Sequence, residues 1–304
     1  MDDAVPAIRL VHLAKRYGRV TALRDVSLDV GVGEIFGFLG VNGAGKTTTI
    51  RILLDLVRPT AGRAEVLGRD CHAEGLDVRG RIGYLPSDLG FYGDMTGEAV
   101  LDVLAHLGRR PVDPQRRRAL LDRLDLSVTD LRRRIRDYST GMRRKLGLVQ
   151  AFQSDPPLLI LDEPTDGLDP LMQDAVYALL DDARQRGRTV FMSSHVLPEV
   201  ERVCDRLAML RQGRLVLVSP VADVRRMSAR TVVITFNGAV AQPPPAWPDG
   251  CEVVDLTPQR WTLRVAGAMG PLMARLAGLP IADVDLHEAR LEDVLRRYYH
   301  GEDA

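Results

Sequence analysis

The sequence predicts an α/β fold with a helical insertion, a β-rich layer at the N-terminus and a small α+β domain at the C-terminus. The apolar run Ile35–Leu39 leads through a glycine-rich loop into a segment with helical spacing. Two further strands with a buried pattern, Leu158–Leu161 and Thr189–Ser193, each lead into a polar loop. Strands and helices in this order are typical of an α/β core.

Short apolar runs separated by turn residues occupy the first part of the chain, and they predict the β-rich N-terminal layer. Pro59–Gly62 predicts a turn that closes the unit beginning at Ile35. The strands predicted before residue 90 are Ile8–Leu13, Ala22–Val30, Glu34–Leu39, Ala64–Leu67 and Arg81–Leu85.

The pattern becomes helical between about residues 96 and 152, which we predict to be a helical subdomain. The segment Ala99–Leu107 is amphipathic, and Asp113 followed by Pro114 predicts the N-cap and first position of a helix. The other helices predicted in this insertion are Arg116–Leu124, Leu131–Arg136 and Arg143–Phe152.

The pattern changes again after about Ser219, and we place a domain boundary near residues 218–228. The prediction is therefore one domain over residues 1–218 and a second over residues 219–304. Pro243–Pro245 predicts a rigid surface loop. The elements predicted in the second domain are the strands Thr231–Phe236, Glu252–Leu256 and Trp261–Val265 and the helices Met269–Leu276 and Leu291–Tyr299.

Composition excludes several classes of protein. The 304 residues carry 41 basic and 41 acidic side chains, and zero net charge argues against nucleic-acid binding driven by bulk charge. No run of residues suits a membrane-spanning helix, and the acidic N-terminus does not resemble a signal peptide, so we expect a cytosolic chain. Cys71, Cys204 and Cys251 are too widely spaced for a disulfide framework or a zinc site, and we expect reduced thiols.

The strongest local signal is Gly40–Thr47, which fits the phosphate-binding pattern G-x-x-x-x-G-K-[ST] and lies between a predicted strand and a predicted helix. Glycines let the backbone wrap around a phosphate, and the N-terminus of a helix supplies positive potential. Lys46, one of only three lysines in the chain, would neutralise the β- and γ-phosphates, and the Thr47 hydroxyl would ligate Mg²⁺. The residues that we predict to bind a nucleotide here are Asn42, Gly43, Ala44, Gly45, Lys46, Thr47 and Thr48.

A pair of acids follows the apolar strand Leu158–Leu161. Asp162 is predicted to hold Mg²⁺, directly or through water. Glu163 would then lie beside the γ-phosphate and polarise the attacking water as a general base. An apolar run that ends in two acids is weak evidence alone, and a strand followed by a polar loop explains it equally well. Together with the phosphate-binding loop it indicates a P-loop nucleotidase.

Three further motifs narrow this class. Tyr138–Met142 precedes a helical run, Asp162–Pro170 extends the acid pair, and Ser193–His195 follows a strand. With these motifs the sequence resembles the ATP-binding subunits of ABC transporters over about residues 6–217, in the family's order and spacing. The resemblance implies a P-loop ABC ATPase core of the RecA-like kind, ATP and Mg²⁺ as the bound groups, and ATP hydrolysis, in which Lys46, Glu163 and His195 would be catalytic.

The resemblance assigns further roles residue by residue. Tyr17 matches the aromatic residue that stacks on adenine. Ser139 and Gly141 match the signature loop, which closes over the γ-phosphate bound by the other subunit; the loop reads Tyr-Ser-Thr-Gly-Met here, against the usual Leu-Ser-Gly-Gly-Gln. Asp169 matches the loop that links the two sites across the dimer, and His195 matches the switch histidine that contacts the γ-phosphate.

One position departs from the family pattern. The glutamine that usually follows Tyr-Leu-Pro is replaced here by Ser87, and Asp88 comes next. In the family this glutamine touches Mg²⁺ or the attacking water and connects the site to the membrane subunit. Ser87 is shorter and is expected to act only through water, with Asp88 as a partial substitute. We expect that hydrolysis survives, because Lys46, Glu163 and His195 are present.

The resemblance also implies partners. Two copies are expected to close face to face around two ATP molecules, while residues 96–152 grip a separate polytopic membrane (permease) subunit. The chain would then be cytoplasmic and attached peripherally to the inner face of the cell membrane. The tail, residues 219–304, resembles the tails of ATPases of ABC-2 type drug and antibiotic exporters, which favours export over import.

A soluble ABC-type ATPase that acts on ribosomes or nucleic acid is the alternative. The DNA-repair type would need long coiled-coil heptads between Lys46 and Ser139, and the sequence shows no such heptads there. The translation-factor type usually carries two cassettes, whereas this sequence has one phosphate-binding loop and one signature loop. The arginine runs Arg116–Arg118 and Arg132–Arg134 could form an RNA patch, but zero net charge favours solvated helix faces, and we expect no nucleic-acid partner. A P-loop kinase or GTPase would leave the signature loop unexplained.

Overall fold

The computed structural model describes residues 5–108, 110–227, 230–240, 246–265 and 268–287. The chain divides into two compact units, residues 1–218 and residues 219–304. Across the described ranges, no helix combines the length and apolarity that crossing a membrane requires. The predicted loop Pro243–Pro245 and the predicted helix Leu291–Tyr299 lie outside the described residues.

The core of the first unit is a six-stranded sheet with the order β10-β9-β3-β8-β7-β6. β3 pairs in parallel with β8 and β9, and β7 pairs in parallel with β6 and β8. Every residue of β3, β7 and β8 is buried, as expected for central parallel strands covered on both faces. The strands are β3 (Ile35–Leu39), β6 (Ile82–Leu85), β7 (Leu158–Asp162), β8 (Thr189–Ser194), β9 (Arg206–Arg211) and β10 (Arg214–Pro220).

Parallel pairing brings the carboxyl ends of three strands to one edge of this sheet. Leu39 at the end of β3 pairs with Ser194 on β8, and Asp162 at the end of β7 pairs with Ser193. Ligand sites of α/β sheets lie at the carboxyl ends of the strands, so this edge positions the candidate site.

A second sheet of the first unit is antiparallel where its pairings are described and has the order β2-β1-β4-β5. The turn predicted at Pro59–Gly62 is wrong at its end, because Ala61 and Gly62 already belong to β4, and Ala61 pairs with Ala14 of β1. Gly62 has a φ of 79°, and a Cβ there would lie 2.2 Å from the carbonyl oxygen of His12, so only glycine fits this approach. The strands are β1 (Ile8–Tyr17), β2 (Val20–Val30), β4 (Ala61–Val66) and β5 (Arg69–Asp70).

Helices cover the sheets and form the insertion. As predicted, Asp113 caps the fourth helix by accepting a hydrogen bond from the N–H of Gln115, and Pro114 is its first residue. The helices of this unit are α1 (Lys46–Leu53), α2 (Gly75–Arg79), α3 (Gly97–Leu107), α4 (Pro114–Arg123), α5 (Val128–Leu131), α6 (Thr140–Phe152), α7 (Pro170–Gln185) and α8 (Leu197–Val203), with a 3-10 turn at Ile135–Asp137.

The helix predicted over Leu131–Arg136 is wrong. α5 ends at Leu131, and Arg134 is extended and pairs with Thr96 in an isolated antiparallel bridge. The start of α5 is fixed by a capping box, in which the Ser127 hydroxyl accepts from the N–H of Asp130 and the Asp130 carboxylate accepts from the N–H of Ser127. The arginine run therefore follows a short helix instead of forming one.

The second unit is an α+β structure around a four-stranded sheet with the order β12-β13-β11-β14. The three pairings in the described part of this sheet are antiparallel, and α10 lies between β13 and β14 in the chain. Its core joins Trp261 to Phe236 and Trp247 in edge-to-face contacts, and Leu272 adds apolar surface from the helix. The elements are α9 (Val221–Met227), β11 (Arg230–Phe236), β12 (Cys251–Thr257), β13 (Arg260–Val265), α10 (Gly270–Leu276) and β14 (Ile281–His287).

Candidate functional site

The loop between β3 and α1 has the backbone of an anion-binding turn. Gly43 and Gly45 have φ values of 81° and 115°, and a Cβ on Gly45 would lie 2.7 Å from the carbonyl oxygen of Ala22. Gly45 is the N-cap of α1, so no side chain caps the first N–H groups of this helix. Uncapped N–H groups at a helix N-terminus form a site for phosphate.

Lys46 is the first residue of α1, and its side chain is only 5% exposed. Its Nζ donates a hydrogen bond to the carbonyl oxygen of Gly40 at 2.6 Å and lies 3.4 Å from Oε1 of Glu163. A buried ammonium group needs a counter-charge, and here the Glu163 carboxylate supplies it. The structure thus brings together two of the predicted catalytic residues.

Asp162 ends β7 and is 1% exposed. Its Oδ2 accepts a hydrogen bond from the Thr47 hydroxyl at 3.2 Å, and its Oδ1 accepts one from the Ser193 hydroxyl. Burial together with the charge of Asp162 raises the pKa of the neighbouring Tyr84 to about 12. The two predicted metal ligands, Thr47 and Asp162, therefore meet directly.

Glu163 follows with a φ of 54°, which a non-glycine residue seldom adopts. The turn is fixed by Ser193, whose carbonyl oxygen and hydroxyl both lie 3.2 Å from the N–H of Glu163. In this conformation the carboxylate points to the phosphate loop on one side and to His195 on the other, with 3.1 Å between Oε2 and the His195 Nδ1. Half-exposed His195 and buried Lys46 thus flank the same carboxylate.

The other residues of the predicted loop are arranged around this cluster. Asn42 and Gly43 are exposed at the tip of the loop, and Thr48 is partly buried on α1. The buried Ala44 donates from its N–H to the Val41 carbonyl oxygen, and its own carbonyl oxygen accepts from Gly213. These contacts hold the loop in shape from both sides.

The structure does not bring every predicted residue into the cluster. Within the described ranges, no hydrogen bond or ion pair joins Ser139, Gly141, Asp169 or Tyr17 to Lys46 or to the acid pair. Tyr17 lies at the end of β1 with 43% of its side chain exposed, and the Lys15 ammonium lies 4.9 Å from its ring centroid.

Ser139 and Asp169 share a different structural role. Ser139 is the N-cap of α6 and accepts from the N–H of Met142, and Asp169 is the N-cap of α7 and accepts from the N–H of Met172. A Cβ on Gly141 would lie 3.5 Å from the carbonyl oxygen of Gly167, so the start of α6 lies against the loop that precedes α7. These residues form a second cluster, built from two helix N-termini.

A buried carboxylate that the sequence motifs do not indicate lies beside the site. Glu199, on α8, is 8% exposed. It accepts hydrogen bonds from the Thr165 hydroxyl at 2.5 Å and the Ser194 hydroxyl at 2.9 Å. It therefore ties the segment that contains His195 to the segment that follows Glu163. No local motif in the sequence marks Glu199, because its role depends on contacts with Thr165 and Ser194.

The chain is similar in sequence to proteins of known families. A family profile described as ABC transporter matches residues 23–166. The chain is 31% identical to the bacitracin transport ATP-binding protein of Enterococcus faecalis over 97% of its own length and 96% of the relative. It is 42% identical to an uncharacterised ABC transporter ATP-binding protein of Nostoc sp. over 65% of its length, and this match spans 59% of the relative.

A solved structure agrees with these matches. A chain described as the ATP-binding subunit of an ABC transporter superimposes with a TM-score of 0.67 at 30% identity, covering 72% of this chain and 92% of that one. This structural match covers a smaller share of the chain than the match to the bacitracin transport protein, which extends over nearly its whole length.

Proposed function

Because the chain belongs to the family of ABC transporter ATP-binding proteins, as its motifs predicted, we propose that it binds and hydrolyses MgATP to drive export through separate membrane subunits. The observation that carries this proposal is the convergence of Lys46, Thr47, Asp162, Glu163 and His195 at one edge of a parallel sheet. That set supplies a phosphate cradle, metal ligands, a general base and a γ-phosphate sensor.

These residues would act one after another in the reaction. The N–H groups at the start of α1 and the Lys46 ammonium bind the phosphates. As the γ-phosphate takes over the charge of Lys46, the Glu163 carboxylate is released to accept a proton from the attacking water. His195, whose Nδ1 lies 3.1 Å from that carboxylate, donates a hydrogen bond to the γ-phosphate. This contact is lost when the γ-phosphate leaves.

The donor set fits Mg²⁺. This ion favours one or two carboxylates together with phosphate oxygens and water, and Thr47 and Asp162 offer one hydroxyl and one carboxylate 3.2 Å apart. When bound, Mg²⁺ would neutralise charge on the β- and γ-phosphates. Ser193 holds the Asp162 carboxylate in orientation through a hydrogen bond to the other oxygen.

Two copies of the chain would complete each site. Ser139 is exposed at the N-terminus of α6 and makes no contact with the Lys46 cluster of its own chain within the described residues. In a face-to-face dimer, this helix N-terminus would meet the γ-phosphate held by the other copy, and Asp169 would lie at the junction. Loss of that phosphate on hydrolysis would weaken the closed state and open the dimer.

The exported compound is proposed from the relatives. One relative is described as a bacitracin transport ATP-binding protein, which supports a compound of the antibiotic class. The chain spans 59% and 58% of the first two curated relatives, so the substrate rests on the full-length match alone. The membrane subunit, and attachment of this chain to the inner face of the cell membrane through residues 96–152, belong to the same proposal.

Co-purification tests this function. The tagged chain is extracted from membranes of its own host in mild detergent and captured, and the bound proteins are identified by mass spectrometry. We expect a polytopic membrane protein in stoichiometric amount. Capture of ribosomes or nucleic acid, with no membrane protein, would favour the soluble ABC-type ATPase instead.

A further inference from the structure

Arg144 is a buried cation that the proposed cycle has not yet used. It lies in the second turn of α6, five residues after Ser139, and is 4% exposed. Its Nη1 donates to the carbonyl oxygen of Pro86 at 3.0 Å and its Nη2 to that of Ser87 at 3.1 Å. Its Nε donates to the carbonyl oxygen of Asp166 at 3.3 Å. One guanidinium group thus joins three separate segments.

The charge balance around Arg144 is unusual. Its nearest carboxylate oxygen, Oδ2 of Asp166, is 3.7 Å away on an exposed side chain, and the direct acceptors are backbone carbonyl groups. Burial lowers the pKa of Arg144, and the charges of Asp166, Asp162 and Glu163 oppose that effect. The guanidinium group is therefore desolvated beside the acid pair without touching it.

The three segments are those on which the proposed cycle depends. The Pro86–Ser87 loop follows β6, which contains Tyr84, and the charge of Asp162 helps to raise the pKa of Tyr84. Asp166 lies in the loop between Glu163 and Asp169. α6 begins at the signature residues. Since the Ser87 side chain is short and exposed, the firm contact of this loop with the site runs through its backbone carbonyl groups.

We propose that Arg144 is a positioning residue for ATP hydrolysis, which holds the Pro86–Ser87 loop and the Asp166 loop in register with the signature end of α6. The inference rests on the proposed ATPase function and deepens it. Arginine is required because its planar fork reaches three carbonyl groups at fixed angles, whereas a lysine ammonium on a flexible chain cannot hold the same set. Within the described residues, the partners of the Arg144 guanidinium are Pro86, Ser87 and Asp166, and none of them is a predicted nucleotide or metal ligand, so its loss should affect turnover and leave nucleotide binding intact.

The test compares two substitutions on neighbouring residues of α6. Arg144→Lys keeps the charge and removes the fork, and Arg143→Lys is the matched control. In the detergent-purified preparation, we expect Arg144→Lys to lower kcat at least about tenfold, because misplacing loops around a reacting centre is costly, with KM and nucleotide affinity changed less than about threefold. Arg143→Lys should retain wild-type kcat. A kcat for Arg144→Lys within about threefold of wild type would overturn the proposal.

Hydrogen exchange gives a second readout that does not require turnover. In Arg144→Lys, the amides of Asp166 and Leu168, which donate to the carbonyl oxygens of Glu163 and Thr165, should exchange at least about tenfold faster than in wild type, with no such change in Arg143→Lys. Unchanged protection would contradict the assignment. Arg144→Gln removes the buried charge altogether and serves for both measurements where the lysine variant does not fold. An inactive wild-type preparation would count against the ATPase itself, whereas an active wild type with an equally active Arg144→Lys would count against this inference alone.

Discussion

Glu163 combines an uncommon backbone conformation with a proposed chemical role. Its φ of 54° stores about 1–3 kcal/mol of strain, which persists only where the surroundings over-determine it. Here Ser193 supplies that restraint through two acceptors for the Glu163 N–H. The strain has a consequence, because this conformation aims the carboxylate between Lys46 and His195.

Replacing Glu163 by glutamine separates binding from hydrolysis. The amide keeps the size of the side chain and cannot accept the proton, so phosphate release should fall at least about 100-fold. ATP affinity should be retained. Dimers should accumulate, because ATP stays bound without being hydrolysed and the closed dimer does not open. Glu98→Gln, an exposed change on α3, is the charge control. Turnover of Glu163→Gln at more than about a tenth of the wild-type rate would exclude Glu163 as the base.

Glu199 supports the site through buried hydrogen bonds, and its removal should be felt in stability. Glu199→Ala leaves the Thr165 and Ser194 hydroxyls without this acceptor, and we expect a loss of about 1–3 kcal/mol in the free energy of unfolding. Glu199→Gln keeps one acceptor oxygen and should lose less. Urea unfolding measures both variants, and equal stability of Glu199→Ala and wild type would refute the role of this network.

For single residues, the sequence predicts those roles that depend on neighbouring residues within one short motif. The phosphate loop and the acid pair are each short motifs whose chemistry is local, and the structure joins their side chains. The roles of Arg144, Ser193 and Glu199 could not be found this way, although Ser193 belongs to a recognised motif, because these roles depend on contacts with residues far away in the chain. Nothing in the local pattern distinguishes Arg144 from the arginine beside it.

Among the structural elements, the junction of α6 and β7 ties the insertion to the core sheet. Asp155 lies there with a φ of 46°. Its carboxylate pairs with Arg116 of α4 at 2.9 Å and with Arg188, which precedes β8, at 2.6 Å, while Arg186 lies 3.6 Å away. Burial tends to raise the pKa of Asp155, but the hydrogen bond from Arg188 and the surrounding arginine charges lower it overall.

Asp155→Asn should therefore loosen the attachment of α4. We expect a loss of about 1.5–3 kcal/mol in stability at neutral pH, as for hydrogen bonds to charged groups. Because the folded-state pKa is lowered, this stabilisation is present above the ordinary aspartate pKa of about 4 and disappears as the pH falls through the lowered folded value. The difference between variant and wild type should shrink accordingly.

Asp125→Asn is the matched control for this experiment. Asp125 also has a positive φ, 48°, but its carboxylate is exposed and pairs only loosely with Lys145, at 3.7 Å. Its replacement should change stability by less than about 0.5 kcal/mol. Thermal unfolding at several pH values measures both variants, and equal effects of the two would mean that the arginine cluster contributes nothing specific.

The elements were predictable where one pattern dominated. Buried strands such as β3 and β7 stand out as apolar runs, and the cap at Asp113 follows from residue type. The segment Leu131–Arg136 was misassigned because the capping box of Ser127 and Asp130 starts the helix at Val128, and the helix ends at Leu131. β14 was not predicted, although residues 282–287 alternate between apolar and polar side chains as a half-buried strand does.

For the whole molecule, the second unit offers a selective probe. Both tryptophans of the chain, Trp247 and Trp261, belong to its core. Trp261 is fully buried between Phe236 and Trp247. Tryptophan fluorescence therefore reports on this unit during unfolding of the full chain.

Leu263→Ala should lower the stability that this probe detects. Leu263 is completely buried on β13, and removing its side chain should cost about 2–5 kcal/mol. Val254→Ala, on exposed β12 of the same sheet, should change the transition by less than about 0.5 kcal/mol. Denaturant titration of tryptophan fluorescence measures both. A transition unmoved by Leu263→Ala would contradict the core described for this unit.

We propose that this chain hydrolyses MgATP as the ATPase subunit of a membrane exporter. Phosphate release by the preparation co-purified from membranes, compared between wild type and Lys46→Ala, measures this activity. We expect Mg²⁺-dependent turnover in wild type and at least about 100-fold less in Lys46→Ala, because the variant lacks the buried cation that we propose to bind the γ-phosphate. Wild-type turnover no higher than that of Lys46→Ala would contradict the account.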